Sequence, residues 1–351
     1  MHLKTTLSVL AIAAVATMAQ DKAYSGAELY TNDTWMYGKF EARMMMAAGS
    51  GTVSSMFLYH HDSYLGGNEP WVEVDIEILG KNPNSFQSNI ITGYGPGDGQ
   101  PNRKVTSEDH HAINPAANAS FHTYGMEWTP DYVAWTLDGQ VVRKTVKGQN
   151  DKNQVQDLGK KPQGLRFNLW SALDANWVGQ FDESKLPLYQ YINWVKVYEY
   201  KKGAGDNGTD FKLLWTDDFN TFDEGRWSKA NWTFEENRVD LTPNNIYAKD
   251  GMVILALTRK GQESFNGQVP KDNEPSPESS SSQQNLSSSS NVPPTSSSSE
   301  FNPFSSSSES TGIMPNRAKQ MPGKEIHGTV NAKGARVNEA NKAHYQVDFN
   351  F

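Results

Sequence analysis

In the segment Trp71-Val-Glu-Val-Asp-Ile-Glu-Ile-Leu-Gly80, Val72, Val74, Ile76 and Ile78 alternate with Glu73, Asp75 and Glu77. Side chains on a β-strand point to opposite faces in turn, so this stretch makes one wall of a core while lining up three carboxyls on the other surface. Like charges this close raise one another's pKa, which lets one carboxyl stay protonated while its neighbour stays ionised. Trp71 shares the acidic face, and the segment holds no Lys or Arg to neutralise it, as a purely structural strand would prefer.

Four residues of straight strand separate the Cα atoms of Glu73 and Glu77 by roughly 13 Å. Two carboxyls that cooperate in retaining glycoside hydrolysis need oxygens about 5 to 5.5 Å apart. The sheet is therefore expected to curve, letting two long Glu side chains lean together across a concave surface with Asp75 between them.

Residues 1–19 read as an export signal: His2 and Lys4 precede an apolar run from Leu7 to Met18, with small residues near Ala19. That run is too short to span a bilayer, and no other apolar stretch approaches that length, so a secreted protein with no membrane span is expected. The absence of Cys from all 351 residues excludes disulfides and thiol chemistry and leaves a bound metal ion as the candidate staple. A net charge of −8 without a dense basic patch argues against nucleic acid as a partner. A neutral polymer fits better, and ten Trp, fourteen Tyr and fifteen Phe can supply flat platforms for sugar rings even with most of them assigned to the core.

From Tyr24 to about Thr258 the chain reads as short strands broken by Gly, Pro, Asn and Asp, without a sustained 3.6-residue apolar period. Phe40 to Met44, Thr52 to Tyr59, Trp71 to Leu79, Phe121 to Trp128, Tyr132 to Leu137, Leu165 to Trp170 and Tyr191 to Tyr200 are the clearest strands. Asp138-Gly139 is a type I′ hairpin signal. Strand-like segments resume after Lys201 to Asp210, at Phe211 to Thr216, Val239 to Thr242 and Met252 to Thr258. This later piece is too small to fold alone and is expected to complete the first sandwich. Residues 24–268 thus form one all-β domain, residues 270–311 with their tetraserine blocks an extended linker, and residues 312–351 a mildly basic tail.

Glu73-Val-Asp-Ile-Glu77, taken with Tyr37-Gly-Lys-Phe-Glu-Ala-Arg43, Phe121-His-Thr-Tyr-Gly-Met-Glu-Trp128 and Arg166-Phe-Asn-Leu-Trp170, resembles glycoside hydrolase family 16, and within it the bacterial 1,3-1,4-β-D-glucanases or lichenases. The resemblance implies a jelly-roll sandwich of two curved antiparallel sheets. Segments like Leu214 to Phe219 and Asp250 to Leu257, which normally precede the catalytic half, follow it here, so the chain looks circularly permuted across Lys201 to Asp210. By position, the resemblance makes Glu73 the nucleophile, Glu77 the general acid/base and Asp75 the helper carboxylate. It places Tyr59, Trp71, Gln87, Asn89, Glu108, Arg166, Asn168, Trp170, Trp177, Lys229 and Trp232 in the substrate cleft. It also implies a structural calcium ion held by Asn193, Asp218 and the Gly251 carbonyl; relatives commonly carry Asn where Asp218 stands.

Adjacent histidines at His60-His61 and His110-His111 point to opposite faces of a strand and lack a third ligand at zinc-like spacing, so they read as loop residues. The expected activity is retaining hydrolysis of β-1,4 bonds next to β-1,3 links in mixed-linkage glucan by a monomer. Another β-glucan hydrolase, a transglycosylase, or a non-catalytic carbohydrate-binding module are the alternatives. Relatives that cut only β-1,3 links more often carry an extra residue before the last Glu, and a binding module would not need both Glu73 and Glu77.

Overall fold

The computed structural model describes residues 22–274. The expected export signal, the basic tail and all but the first few linker residues lie outside the described residues.

Alternating strands stack into two antiparallel layers. The inner sheet runs in the order Trp227–Lys229, Tyr24–Thr31, Gly164–Ser171, Thr52–Tyr59, Pro70–Leu79, Ser85–Tyr94, with Val105–Thr106 and Asp109–Ala112 sharing the last edge. The outer sheet runs Gln140–Val146, Tyr132–Leu137, His122–Trp128, Gly38–Met45, Leu188–Tyr200. The free edge of Leu188–Tyr200 is divided between two partners: its first half pairs with Met252–Arg259 and its second with Phe211–Asp217. Strands beyond residue 210 therefore complete both layers. Asp138 and Gly139 both take positive φ (49° and 77°), as a type I′ turn requires.

The sheets meet at a corner. Tyr24 and Ser25 pair with the outer-layer strand Met252–Arg259 before the same strand enters the inner sheet. Gly26 makes this crossing because a Cβ there would lie 2.7 Å from the Leu169 carbonyl oxygen and 2.6 Å from Val239 Cγ2.

Val72, Val74, Ile76 and Ile78 are fully buried between the layers. Burial contributes about 1.5 to 3 kcal/mol for each such side chain, so this one strand gains on the order of 6 to 12 kcal/mol. That gain holds the strand in place although its other face crowds three acids. Its centre is also tied across the core, since Trp135 Nε1 donates to the Asp75 main-chain oxygen at 2.9 Å.

The linker expected from residue 270 does not begin there. Phe265 and Val269 pack on a satellite cluster of Phe121, Tyr191, Met252 and Ile254, and Asp272 makes a bidentate pair with Arg43, Nε to Oδ2 and Nη2 to Oδ1 both at 2.9 Å. The side chains are 8% and 4% exposed. Polar composition alone misplaced this boundary, because one buried cation supplies the anchor that the segment's own residues lack.

Candidate active site

Strand pairing lays the inner sheet's concave face out in rows. Glu77 lies between Ser55 and Gln87, with Asn168 and then Glu28 further along; Asp75 lies between Phe57 and Asn89, with Arg166 and Tyr30 beyond; Glu73 lies between Tyr59 and Ile91. Pairing of Pro70–Leu79 with both neighbours proceeds without a register shift, so nothing interrupts the alternation that presents the acids together.

Each acid has distinct partners. Trp71 Nε1 donates to Glu73 Oε2 at 2.6 Å, and Gln87 Nε2 donates to Glu77 Oε2 at 2.9 Å. Trp177 Nε1 in turn donates to Gln87 Oε1 at 3.3 Å. Burial raises all three carboxyls above their usual range. For Glu77, burial and the charge of Glu73 together push the pKa up to about 8. Asp75 is raised well above the aspartate range by burial, by Glu73 and Glu77, and by its hydrogen bond to Glu73. Burial acts on Glu73 too, but the Trp71 N–H, Lys104, the Asp75 hydrogen bond and Arg166 oppose it. Burial thus favours the protonated form of all three, an effect most countered by neighbouring donors and cations at Glu73 and reinforced by neighbouring acids at Asp75 and Glu77.

Most expected cleft residues converge here. Tyr59 meets Trp71 edge to face at 5.6 Å. The Arg166 guanidinium lies 5.0 Å from the Tyr59 ring centre and 5.9 Å from that of Trp232, which is 37% exposed. Asn168 Oδ1 accepts from Ser55 Oγ at 2.5 Å, and Asn89 Oδ1 from the Ser107 N–H at 3.0 Å. Glu108 accepts from Thr106 Oγ1 at the exposed rim and adds its charge to Asp75 and Glu77. Trp170 and Trp177 are buried against each other at 5.9 Å, so they form a wall behind Gln87 rather than an open platform.

Lys229 is not brought to this face. It pairs with the core residue Leu29, so its side chain leaves the sheet toward the core, where Nζ reaches the Ile246 carbonyl at 3.5 Å and lies 4.6 Å from the Phe222 ring centre. Resemblance by position could not show which way a short edge strand turns.

Glu28, Tyr30, Ser55 and Lys104 join the site without having been singled out in the sequence. Glu28 accepts from Arg166 Nη1 at 2.6 Å on the same face. The alternation of Ala27 and Leu29 with Glu28 and Tyr30 was a signal that could have found the first two.

The expected calcium trio assembles only in part. Asp218 Oδ2 accepts from Asn220 Nδ2 at 2.7 Å, and a Cβ on Gly251 would lie 3.3 Å from Asn220 Oδ1, so these three residues meet. The Asn193 side-chain amide is instead turned to Asp272, donating to Oδ2 at 2.8 Å. Among the described residues no three His, Cys, Asp or Glu side chains are grouped to hold a metal, but Asp218, Asn220 and main-chain carbonyls are the hard oxygen donors that calcium takes. The histidines are engaged locally: His60 Nε2 lies 2.8 Å from Glu69, His61 Nδ1 3.1 Å from Arg166, and His111 Nε2 2.8 Å from Ser88 Oγ, while His110 is exposed.

A two-layer antiparallel sandwich that presents three buried, adjacent carboxyls beside aromatic rings on a concave face defines a glycoside hydrolase. The family model for glycosyl hydrolases family 16 matches residues 4–196, and the chain belongs to that family. It is similar over 99% of its length, and 99% of the other's, to the beta-glucanase of Fibrobacter succinogenes, at 59% identity. Similarity to the Brevibacillus brevis beta-glucanase reaches 34% identity over 53% of this chain and 64% of that one. Among solved structures, a Bacillus licheniformis beta-glucanase shares 30% identity over 48% of this chain and 68% of that one, with a TM-score of 0.38.

Proposed function

We propose that the protein is an endo-β-glucanase that hydrolyses β-1,4 bonds adjacent to β-1,3 links in mixed-linkage glucan, with retention of configuration. The observation that carries this reading is the alignment of Glu73, Asp75 and Glu77 on one strand face with unlike partners: Glu77 accepts from Gln87 and is pushed up to about 8 by burial and Glu73, while the Trp71 N–H, Lys104 and Arg166 oppose the effect of burial on Glu73. Glu73 attacks the anomeric carbon while Glu77 gives its proton to the departing glycosidic oxygen, leaving a glycosyl ester on Glu73. Glu77, now ionised, takes a proton from the water that attacks the anomeric carbon, and the bond from that carbon to the Glu73 oxygen breaks, which restores the Glu73 carboxylate and the Glu77 acid and releases the retained anomer. Asp75, protonated, donates to Glu73 and steadies its charge and orientation.

Near-full-length similarity to a Fibrobacter succinogenes beta-glucanase supports β-glucan as substrate. The unbroken register of Pro70–Leu79, with no extra residue before Glu77, favours mixed linkages. Arg166, Asn168, Gln87, Asn89 and exposed Trp232 are the donors and rings available to sugar hydroxyls and faces.

A calcium ion at Asp218, Asn220 and Gly251 would act as a staple away from the acids. Circular permutation is supported by the family match ending at residue 196 while Phe211–Asp217 and Met252–Arg259 still pair into the outer layer. The pattern of residues 1–19 supports export, and the enzyme is read as a monomer.

The test is digestion of lichenan, laminarin and carboxymethylcellulose by the wild type and by Glu73→Gln and Glu77→Gln. Short mixed-linkage oligosaccharides from lichenan alone, lost in both folded variants, are expected. Binding without cleavage by the wild type would refute the enzymatic reading.

A further inference from the structure

Trp71 is held on several sides. Its N–H points to Glu73 at 2.6 Å, its edge meets Tyr59, and Lys104 Nζ sits 4.1 Å from a ring centre of the indole. The loop bearing Lys104 is tied down beside the ring. Arg103 Nη2 donates to the Gly67 carbonyl at 2.9 Å, the Arg103 N–H to the Tyr94 carbonyl at 2.9 Å, and the Lys104 N–H to Asn102 Oδ1 at 3.1 Å. The Gly67 N–H donates to the Gly95 carbonyl at 3.1 Å, and a Cβ on Gly95 would lie 3.3 Å from Trp71 Cε3, so the loop backbone lies against the indole. Lys104 is half-buried here.

A cation over an indole face draws on the ring's π-density, and the indole N–H is a donor only. Electron withdrawal from the ring strengthens that N–H as a partner for a carboxylate, in the manner of a charge-assisted bond. We propose that Lys104 is a positioning residue for the reaction: seated on Trp71, its ammonium polarises the indole N–H toward Glu73 and so sets the acid limit of glucan cleavage. This rests on the proposed role of Glu73 as nucleophile.

Glu73 pairs with Ile91 of Ser85–Tyr94, which places no charge opposite it. Its own strand supplies Asp75 and Glu77, the strand Thr52–Tyr59 supplies Tyr59, and Gly164–Ser171 supplies Arg166. Residues 104–108 supply Lys104 and Glu108, the latter acting on Asp75 and Glu77, and His61 touches Arg166. Lys104 and Arg166 are the cations that favour the Glu73 carboxylate, and Arg166 shares its charge with Glu28 at 2.6 Å.

The experiment is the pH dependence of kcat/KM on soluble mixed-linkage β-glucan for the wild type, Lys104→Met, Lys104→Arg, Trp71→Phe and the double variant, with folding checked by near-UV circular dichroism. In Lys104→Met the acid-limb midpoint should rise by about half a pH unit, and Lys104→Arg should restore it. In the Trp71→Phe background, which keeps an aromatic ring but lacks the N–H, adding Lys104→Met should move the midpoint much less. If Lys104→Met does not fold, Lys104→Gln is read in its place. An unmoved acid limb, or an undiminished shift without the indole N–H, would overturn the inference while leaving the glucanase reading intact. A wild type that cleaves no β-glucan overturns both.

Discussion

Truncation between Pro270 and Glu274 separates two accounts of where the folded domain ends. A chain ending at Glu274 keeps Asp272 in its bidentate pair with Arg43, with Asn193 Nδ2 and the Glu274 N–H also donating to the same carboxylate. A chain ending at Pro270 loses both Asp272 and the Glu274 carboxylate 3.3 Å from Arg43 Nη1, and leaves the Arg43 guanidinium, 8% exposed, with Thr123 Oγ1 at 3.5 Å and, as its remaining acid, Asp138 at 3.9 Å, whose side chain is 46% exposed. Removing one partner of a buried pair costs about 3 to 5 kcal/mol, and the remaining Asp138 should offset part of that. A loss of about 2 to 3 kcal/mol is expected, which for a domain of this size lowers Tm by about 4 to 12 °C. Arg43 and Asn193 hold Asp272 below the usual aspartate range against burial. Its contribution is thus fully present above the ordinary aspartate pKa and is lost as pH falls through the folded value. Calorimetry of both truncations at pH 7 and in acid is the assay: the Tm gap should be present at pH 7 and shrink in strong acid. Equal melting temperatures at pH 7 would refute the reasoning, and would restore the view that everything from residue 270 onward is dispensable linker.

Loss of the Glu77 proton should end activity on the alkaline side, so kcat/KM is expected to fall as pH rises through about 8, a limb that stopped-time assays on lichenan would locate. Asp75 is raised well above its ordinary range, so the folded state must keep a proton that the unfolded chain releases, at a stability cost that grows as pH rises from the ordinary aspartate range. Asp75→Asn should therefore melt higher than wild type at pH 8, by a margin that narrows toward pH 4, while losing at least about tenfold in kcat; an unchanged margin between those pH values would count against a protonated Asp75. Chelation should lower Tm while leaving initial rates at moderate temperature nearly unchanged, and Asp218→Ala should abolish the difference; coincident melting curves with and without chelator would remove the calcium proposal.

How far the sequence could be read depended on how local each signal was. Alternation over Trp71–Leu79, Thr52–Tyr59 and Tyr132–Leu137 gave strands because both faces of each have consistent company, and Asp138-Gly139 gave its turn because both residues accept positive φ. Ser85–Tyr94, which carries Gln87 and Asn89, was missed as a strand: Ser88, Asn89 and Thr92 are polar yet buried, so hydrophobicity does not alternate with burial there. Gln140–Val146 is absent from the strands read in the sequence, because exposed Val141 and Val142 break the alternation. Tyr24–Thr31 passes from one sheet to the other within eight residues, and a strand with two sets of neighbours shows no single pattern.

By itself the sequence determined that Glu73, Asp75 and Glu77 share a face and that an apolar wall backs them, because strand geometry is local and has period two. Which carboxyl keeps its proton was decided only by tertiary structure, since burial, the Trp71 N–H, Gln87, Lys104 and Arg166 come from strands and loops far apart in the chain. The same holds for the turning of Lys229 toward the core and for the docking of Asp272 on Arg43, 229 residues away. Proton affinity and side-chain direction depend on the field and space that neighbours create, and those neighbours are chosen by the folding of the whole sandwich.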